Sequence, residues 1–268
     1  MTYLRAKNLD EAMALLKRYP DYLLLCGSTD AVLQLRDAPE TDGIIDIHAI
    51  EELHHIDKGA ETFRIGALVT VNDLLHSDEV RARLPLLSAC AEDFGSHQIR
   101  NLATLGGNIA NASPAADLTA ALVALDASVT LGAIGGRRTI PLEELFCGYK
   151  CTKLAHEIIL SVDVPLREHH WYYRKAGARE RLNIAKVSIA LVKDGDGYRV
   201  SGASLGANAV RFRTLESSLN GGQFDDETIR AALEKDTAPS GGYRSTKAYR
   251  LRVAFNMVQE ALAQLEGA

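Results

Sequence analysis

Two hydrophobic periods alternate along the first fifty residues. In "LDEAMALLKRY", Leu9, Ala12, Met13 and Leu16 recur three and four apart, which gives a helix one buried stripe. Asn8, with Glu11 three residues on, has the spacing of a helix-starting capping box. The short apolar run "YLLLC", a turn at "GSTD", a second helix and the strand "GIIDIH" follow, a βαβ-like order. From about residue 60 to 165 the pattern predicts a strand in "TFRIGALVTV", helices from Asn72 to Phe94, a glycine turn, a helix in "ADLTAALVAL" and short strands ending in "EIILSVDVPL". Beyond Pro165 the pattern changes. "HHWYYRKAGARERLNIAKVSIALV" leads to a turn at "KDGDG", a strand in "YRVSGASLG", a pair of helices and a long helix from about Ser245 to Leu265. This change divides the chain into 1–166, itself split into about 1–55 and 56–166, and 167–268.

Composition removes several function classes. With 268 residues, 47% hydrophobic and 24% charged, the chain can bury a sizeable core. No apolar run approaches the length of a membrane span, and the first nineteen residues lack the apolar centre of a signal peptide, so a cytoplasmic protein is expected. A net charge of −5 without a basic stripe speaks against nucleic acid and against a membrane surface. Cys26, Cys90, Cys147 and Cys151 form no C-x-x-C, and His54-His55 and His169-His170 are adjacent rather than a helical turn apart, so no metal site is expected and the cysteines read as free thiols.

Two turns carry the candidate chemistry. Gly106 and Gly107, in "ATLGGNIANASPAADLTAALVALDA", leave the backbone free to adopt positive φ and to press N–H groups against an anion. Ser113 before Pro114 has the order of an N-cap and a first-turn proline, which places a helix N-terminus close by. "LLLCGSTDAVLQLR" repeats the logic: an apolar strand, a small polar turn, then a helix. A tight turn before an ordinary helix has the same pattern, but two such cradles together suit a pyrophosphate. Neither is G-x-G-x-x-G or a Walker loop.

The pairing of "LLLCGSTD" with "GSHQIRNLATLGGNIANASPAADLTAALVALDASVTL", followed by "RTIPLEELFCGYKCTKLAHEIILSVDVP", resembles the FAD-binding subunit of the molybdenum hydroxylases, the group of xanthine, carbon monoxide and nicotinate dehydrogenases. "RKAGARERLNIAKVSIAL", "SGASLGANAVRFRTLE" and "STKAYRLRVAFNMVQEAL" resemble its C-terminal domain, so nearly the whole chain is covered. The resemblance implies an α+β fold, with a two-subdomain FAD-binding region and a small C-terminal α/β domain. It implies a non-covalent FAD whose pyrophosphate lies between Leu24, Leu25, Cys26, Gly27, Ser28, Thr29, Asp30 and Ala31 on one side and Thr104, Leu105, Gly106, Gly107 and Asn108 on the other. Asp117 falls at an acidic FAD contact, Phe94 and Ile159 at positions that pack near the flavin, and Lys175, or Arg174 in its place, at a basic one.

By the same resemblance, substrate oxidation belongs to a molybdopterin-containing large subunit, and a small subunit with [2Fe–2S] clusters relays electrons to the flavin, which passes them to NAD⁺ or another acceptor. No catalytic residue is then expected in this chain. The cluster loop of some relatives is missing, since no cysteine lies between 91 and 146. The family's usual first turn is Ala-Gly-Gly-Thr-Asp; here Cys26 and Ser28 replace its alanine and second glycine, and positive φ at Ser28 costs about 1 kcal/mol. A stand-alone diaphorase and a structural subunit without FAD are the other readings. The segment 174–183, with Arg174, Lys175, Arg179 and Arg181, is expected to be a mobile flap where the acceptor docks.

Overall fold

The computed structural model describes residues 1–37, 41–179, 182–242 and 245–266. Strands β1 (Thr2–Arg5), β2 (Leu23–Leu25) and β3 (Gly43–Asp46) form a parallel sheet in the order β1-β3-β2, crossed by α1 (Leu9–Arg18) and α2 (Ala31–Asp37). Asn8 caps α1 by accepting from the Glu11 amide at 2.9 Å, and Glu11 reaches back to the Lys7 amide at 2.8 Å. Leu9, Ala12 and Leu16 are the buried stripe of that helix, and they share a core with Ile45 and Ile47. β1 is absent from the sequence reading because it is short, mostly exposed and paired on one side only.

The middle of the chain builds an antiparallel sheet in the order β4-β5-β10-β6-β7, from β4 (Ile56–Lys58), β5 (Thr62–Gly66), β6 (Ser128–Ala133), β7 (Gly136–Pro141) and β10 (Ile158–Pro165). The predicted helical stretch becomes α3 (Val71–His76), α4 (Asp78–Arg83) and α5 (Pro85–Glu92), broken where Ser77 caps α4 and Pro85 opens α5. Then come α6 (His97–Arg100), α7 (Leu105–Ala110) and α8 (Asp117–Ala124), the last buried all round. A two-stranded hairpin, β8 (Phe146–Gly148) and β9 (Cys151–Thr152), interrupts the way to β10.

The hairpin corrects one expectation. Cys26 and Cys90 are free thiols, but Cys147 and Cys151 form a disulfide, their Cα atoms 5.3 Å apart across the turn. A spacing of four, unremarkable for a metal site, puts two cysteines opposite each other once the chain doubles back.

The last block is an antiparallel sheet of β11 (His170–Ala176), β12 (Val187–Asp194), β13 (Gly197–Ala203) and β14 (Val210–Arg211), followed by α9 (Arg213–Asn220), α10 (Asp226–Asp236) and α11 (Lys247–Glu266). Successive side chains of β12 enter different cores. Val187, Ile189 and Leu191 pack with α9, α10 and α11, while Ala190 and Val192 join the core of the middle block. At the seam Asp126, itself at φ 55, receives Arg167, Arg199 and Arg211. Among the described residues, no helix is long and apolar enough to cross a membrane.

Candidate functional site

The first turn has the expected form of an anion cradle. Leu24 and Leu25 lie in β2, Cys26 to Asp30 form the loop, and Ala31 opens α2. Ser28 is at φ 64, the left-handed conformation that the replacement of glycine put at issue, and its hydroxyl donates to the Cys26 carbonyl at 2.9 Å. The backbone amides of Gly27, Ser28, Thr29 and Asp30 donate to no acceptor among the described residues. Successive unpaired amides around a left-handed residue make an anion-binding concavity.

The second turn is not a turn. Gly106 and Gly107 lie inside α7, which Thr104 caps by accepting from the Gly107 amide at 3.1 Å; neither glycine has positive φ. The amides of Leu105 and Gly106 donate to the carbonyls of Val69 and Ala67, at 2.9 and 2.8 Å, and that of Asn108 closes the helix on Thr104. The amides of Leu105 to Asn108 are therefore occupied, and the backbone donors of this segment reduce to that of Thr104. The glycines are there for closeness. A Cβ on Gly106 would lie 2.7 Å from the Ala67 side chain, and one on Gly107 3.2 Å from Cys26 Sγ. Cys26 Sγ in turn meets Thr104 Oγ1 at 3.2 Å, so the two segments form facing walls.

Nor does α8 begin at Ser113. Its N-cap is Ala116, without a side-chain cap, and the Ser113 hydroxyl accepts from the Ala115 amide at 3.3 Å. Pro114 is outside the helix because its carbonyl accepts from Ser204, and the bend comes from Ala112 at φ 45. The later start brings Asp117 to the first position of α8, and Thr119 on the same helix donates to the Asn108 side chain at 3.3 Å.

Asp117 and Lys175 meet at 2.6 Å with both side chains 5% exposed. Lys175 also donates to the Asp93 carbonyl at 3.2 Å. Strand alternation separates Lys175 from Arg174: Lys175 turns inward with Tyr173, while Arg174 turns outward to Glu260. Both residues are in β11, so the expected flap does not begin at 174; of its remainder, Arg179 donates to the Leu182 carbonyl, and Glu180 and Arg181 lie outside the described residues. Burial raises the Asp117 carboxyl above its ordinary range, and the Lys175 ammonium counteracts this. The buried hydroxyls of Tyr173 and Ser188 flank the Asp117 carboxyl, close enough to act on it as hydrogen-bond partners though neither makes a well-formed bond with Oδ1. Ser188 stands directly across from Lys175 in the β11–β12 register.

Phe94 is half-buried and packs on the middle core one residue from Asp93. Ile159 is buried within that core, beside a register shift in β10. Sequence reasoning missed Leu102, whose carbonyl oxygen would overlap a Cβ on Gly27, and Ala67, which abuts Gly106. Both are ordinary apolar residues, and only their approach to glycine marks them.

Residues 1–167 match the family described as the FAD binding domain in molybdopterin dehydrogenase, and residues 171–265 the CO dehydrogenase flavoprotein C-terminal domain. The chain belongs to the FAD-binding subunits of the molybdenum hydroxylase family. It is an oxidoreductase subunit, and its cofactor is FAD. The carbon monoxide dehydrogenase medium chain of Hydrogenophaga pseudoflava is 33% identical over 274 residues, covering 97% of this chain and 95% of that one. The nicotinate dehydrogenase FAD-subunit of Eubacterium barkeri is 32% identical, covering 85% of this chain and 82% of its own. A solved structure of carbon monoxide dehydrogenase from Hydrogenophaga pseudoflava, lacking the Mo-pyranopterin moiety, superposes with a TM-score of 0.92 at 31% identity, over 100% of this chain and 97% of that one.

The strained serine gives a direct test of the first wall. Ser28→Gly removes the left-handed penalty but also loses the bond to Cys26 and adds unfolded-state freedom, so FAD affinity is expected to stay within about threefold of the parent. Ser28→Val places a β-branched residue in a region it avoids, at a cost of about 1–2 kcal/mol, so FAD affinity is expected to fall about tenfold. Fluorescence titration of the apoprotein with FAD measures both, and equal affinities for valine and glycine would contradict the cradle.

Proposed function

We propose that this chain is the electron-exit subunit of a molybdenum hydroxylase complex, with a molybdopterin-containing large subunit and a [2Fe–2S] small subunit as partners. Bound without a covalent link, its FAD supplies the carrier that takes electrons from the partner's clusters to NAD⁺ or another acceptor. In this reading residues 1–166 hold the cofactor and 167–268 close over it.

One observation carries the assignment of the site: four successive free amides around a left-handed residue form the cradle that the diphosphate of a long, anionic cofactor needs. The free amides of Gly27 to Asp30 hold the diphosphate, helped by the Thr29 hydroxyl, while Thr104, Gly107 and Asn108 form the opposite wall, which Cys26 meets from the first. Asp117 offers its carboxylate as an acceptor to the flavin, and Lys175 keeps it charged and oriented. Phe94 supplies an aromatic surface, and Ile159 backs it from the core. The protein's chemical work is to bind, orient and exclude water, so it needs no nucleophile or acid–base pair of its own.

The relatives support the assembly. Relatives matched over most of this chain include a carbon monoxide dehydrogenase medium chain and a xanthine dehydrogenase FAD-binding subunit. Purification from the native host, with identification of the co-purifying subunits, tests the partners. Acid precipitation of the product is expected to release all of its yellow colour into the supernatant; colour retained in the pellet would show a covalent bond and overturn this part of the reading.

A further inference from the structure

The FAD cradle is connected to an exposed disulfide. Cys147 and Cys151 are both solvent-exposed, and between them Tyr149 is 70% exposed and Lys150 is held at φ 49. Lys150 Nζ lies 3.6 Å from Asp30 Oδ2, the carboxylate at the end of the free-amide loop. Asp30 also accepts from Gln34 Nε2 at 2.8 Å, and the same Gln34 amide reaches Asn111 Oδ1 at 3.2 Å, just past α7. A continuous polar line therefore runs from the disulfide hairpin across one wall of the cradle to the other.

The bond is poorly suited to a purely stabilising task. A cross-link between residues four apart closes a very short loop, and the entropic benefit of a disulfide grows with loop length. What it does fix is the turn itself. Lysine adopts positive φ at a cost, and the cross-link holds the turn that points Lys150 at Asp30. Exposed disulfides are also the ones that exchange readily with thiols.

We propose that Cys147–Cys151 is a thiol–disulfide exchange site, reduced by small or protein dithiols, whose state sets how tightly the FAD cradle is held through Lys150 and Asp30. The proposal rests on the reading of Gly27 to Asp30 as the FAD cradle. In the exchange, a thiolate of the incoming dithiol attacks one exposed sulfur and forms a mixed disulfide, and the other sulfur leaves as a thiolate and takes a proton from water. The second thiol of the reductant, after giving up its proton, displaces the remaining sulfur. The protein gains two electrons and two protons, and the dithiol becomes a disulfide. The freed turn then lets Lys150 leave its strained conformation and its carboxylate partner.

The test uses the full-length chain, isolated in air with its FAD bound. Alkylation followed by mass spectrometry is expected to find Cys147 and Cys151 blocked until dithiothreitol is added. The rate of FAD release, followed as free-flavin fluorescence, is expected to rise about threefold after reduction, the scale of losing one exposed ion pair, and to recover on reoxidation. Cys147→Ser/Cys151→Ser is expected to release FAD at the reduced rate whether or not dithiothreitol is present. Lys150→Met is expected to keep the disulfide and yet release FAD at that same rate. Immediate alkylation of both cysteines, an unchanged release rate in the parent after reduction, or an equal response to dithiothreitol in the double serine variant overturns the proposal. The parent comparison stands even if the double variant fails to fold. If Gly27→Ala retains FAD at full affinity, the cradle reading itself fails; if that variant loses FAD while dithiothreitol has no effect on the parent, only the exchange site does.

Discussion

Gly27→Ala is expected to lose FAD. The added Cβ would overlap the backbone carbonyl of Leu102, which cannot swing aside as a side chain can, because the amides of Leu102 and the adjacent Ala103 are tied to the Ile99 carbonyl. The loop must yield instead, and the loop holds the free amides. Overpacking of this kind costs about 1–3 kcal/mol, so a tenfold or greater loss of FAD affinity is expected if the displacement falls on the cradle. The overlap falls at the edge of the middle core, at Ala103, and not within it, so the far-ultraviolet circular dichroism should be retained. Parent-like affinity in a fluorescence titration would show that the approach of Gly27 to Leu102 has no part in binding.

Lys175→Met should have the largest effect on stability. It leaves the Asp117 carboxylate buried without its counter-ion, and breaking a buried pair from one side costs about 3–5 kcal/mol. The loss has a defined pH dependence. Burial already raises the Asp117 carboxyl in the folded protein, and removal of the ammonium raises it further. Above the ordinary carboxylate range the folded variant then binds more protons than the unfolded chain, so its stability falls as pH rises and recovers as pH drops toward that range. Urea unfolding across that interval should show the gap between parent and variant narrowing on acidification. A pH-independent gap would mean that the pair is not what the substitution disturbs. Asp117→Asn, which keeps the shape but discharges the other partner, should lose FAD affinity as well.

The order of elements was legible because the hydrophobic period changes sharply at turns and at Pro165. The first cradle was legible too: a small polar turn between an apolar run and a helix admits few backbone paths, and the serine at a glycine position flagged its left-handed φ. The Gly106-Gly107 pair misled because glycine signals two different needs, dihedral freedom and lack of volume. Here Ala67 beside Gly106, and Thr104 and then Cys26 beside Gly107, demand the second, and no local pattern reveals the two that lie about forty and eighty residues away. The start of α8 was misplaced for a similar reason, since the Pro114 carbonyl is used by Ser204 from the other end of the molecule. The opposite orientations of Arg174 and Lys175 follow from alternation alone once "HWYYRKA" is read as a strand. The disulfide had no signal beyond its spacing, which acquires meaning only when a hairpin is known to lie between.

β12 has a bearing on modularity. One set of its side chains belongs to a core made with α9, α10 and α11, while Ala190 and Val192 complete a core whose remaining members come from residues before 165. Cutting the chain at the change of pattern would therefore bare apolar surface on both fragments. The two halves should therefore melt together, and the buried Asp117–Lys175 pair, one residue from each half, adds a further contact across the join. A ligand that binds only the joined state stabilises it by mass action, so apoprotein made without flavin should unfold at a lower temperature than the holoprotein.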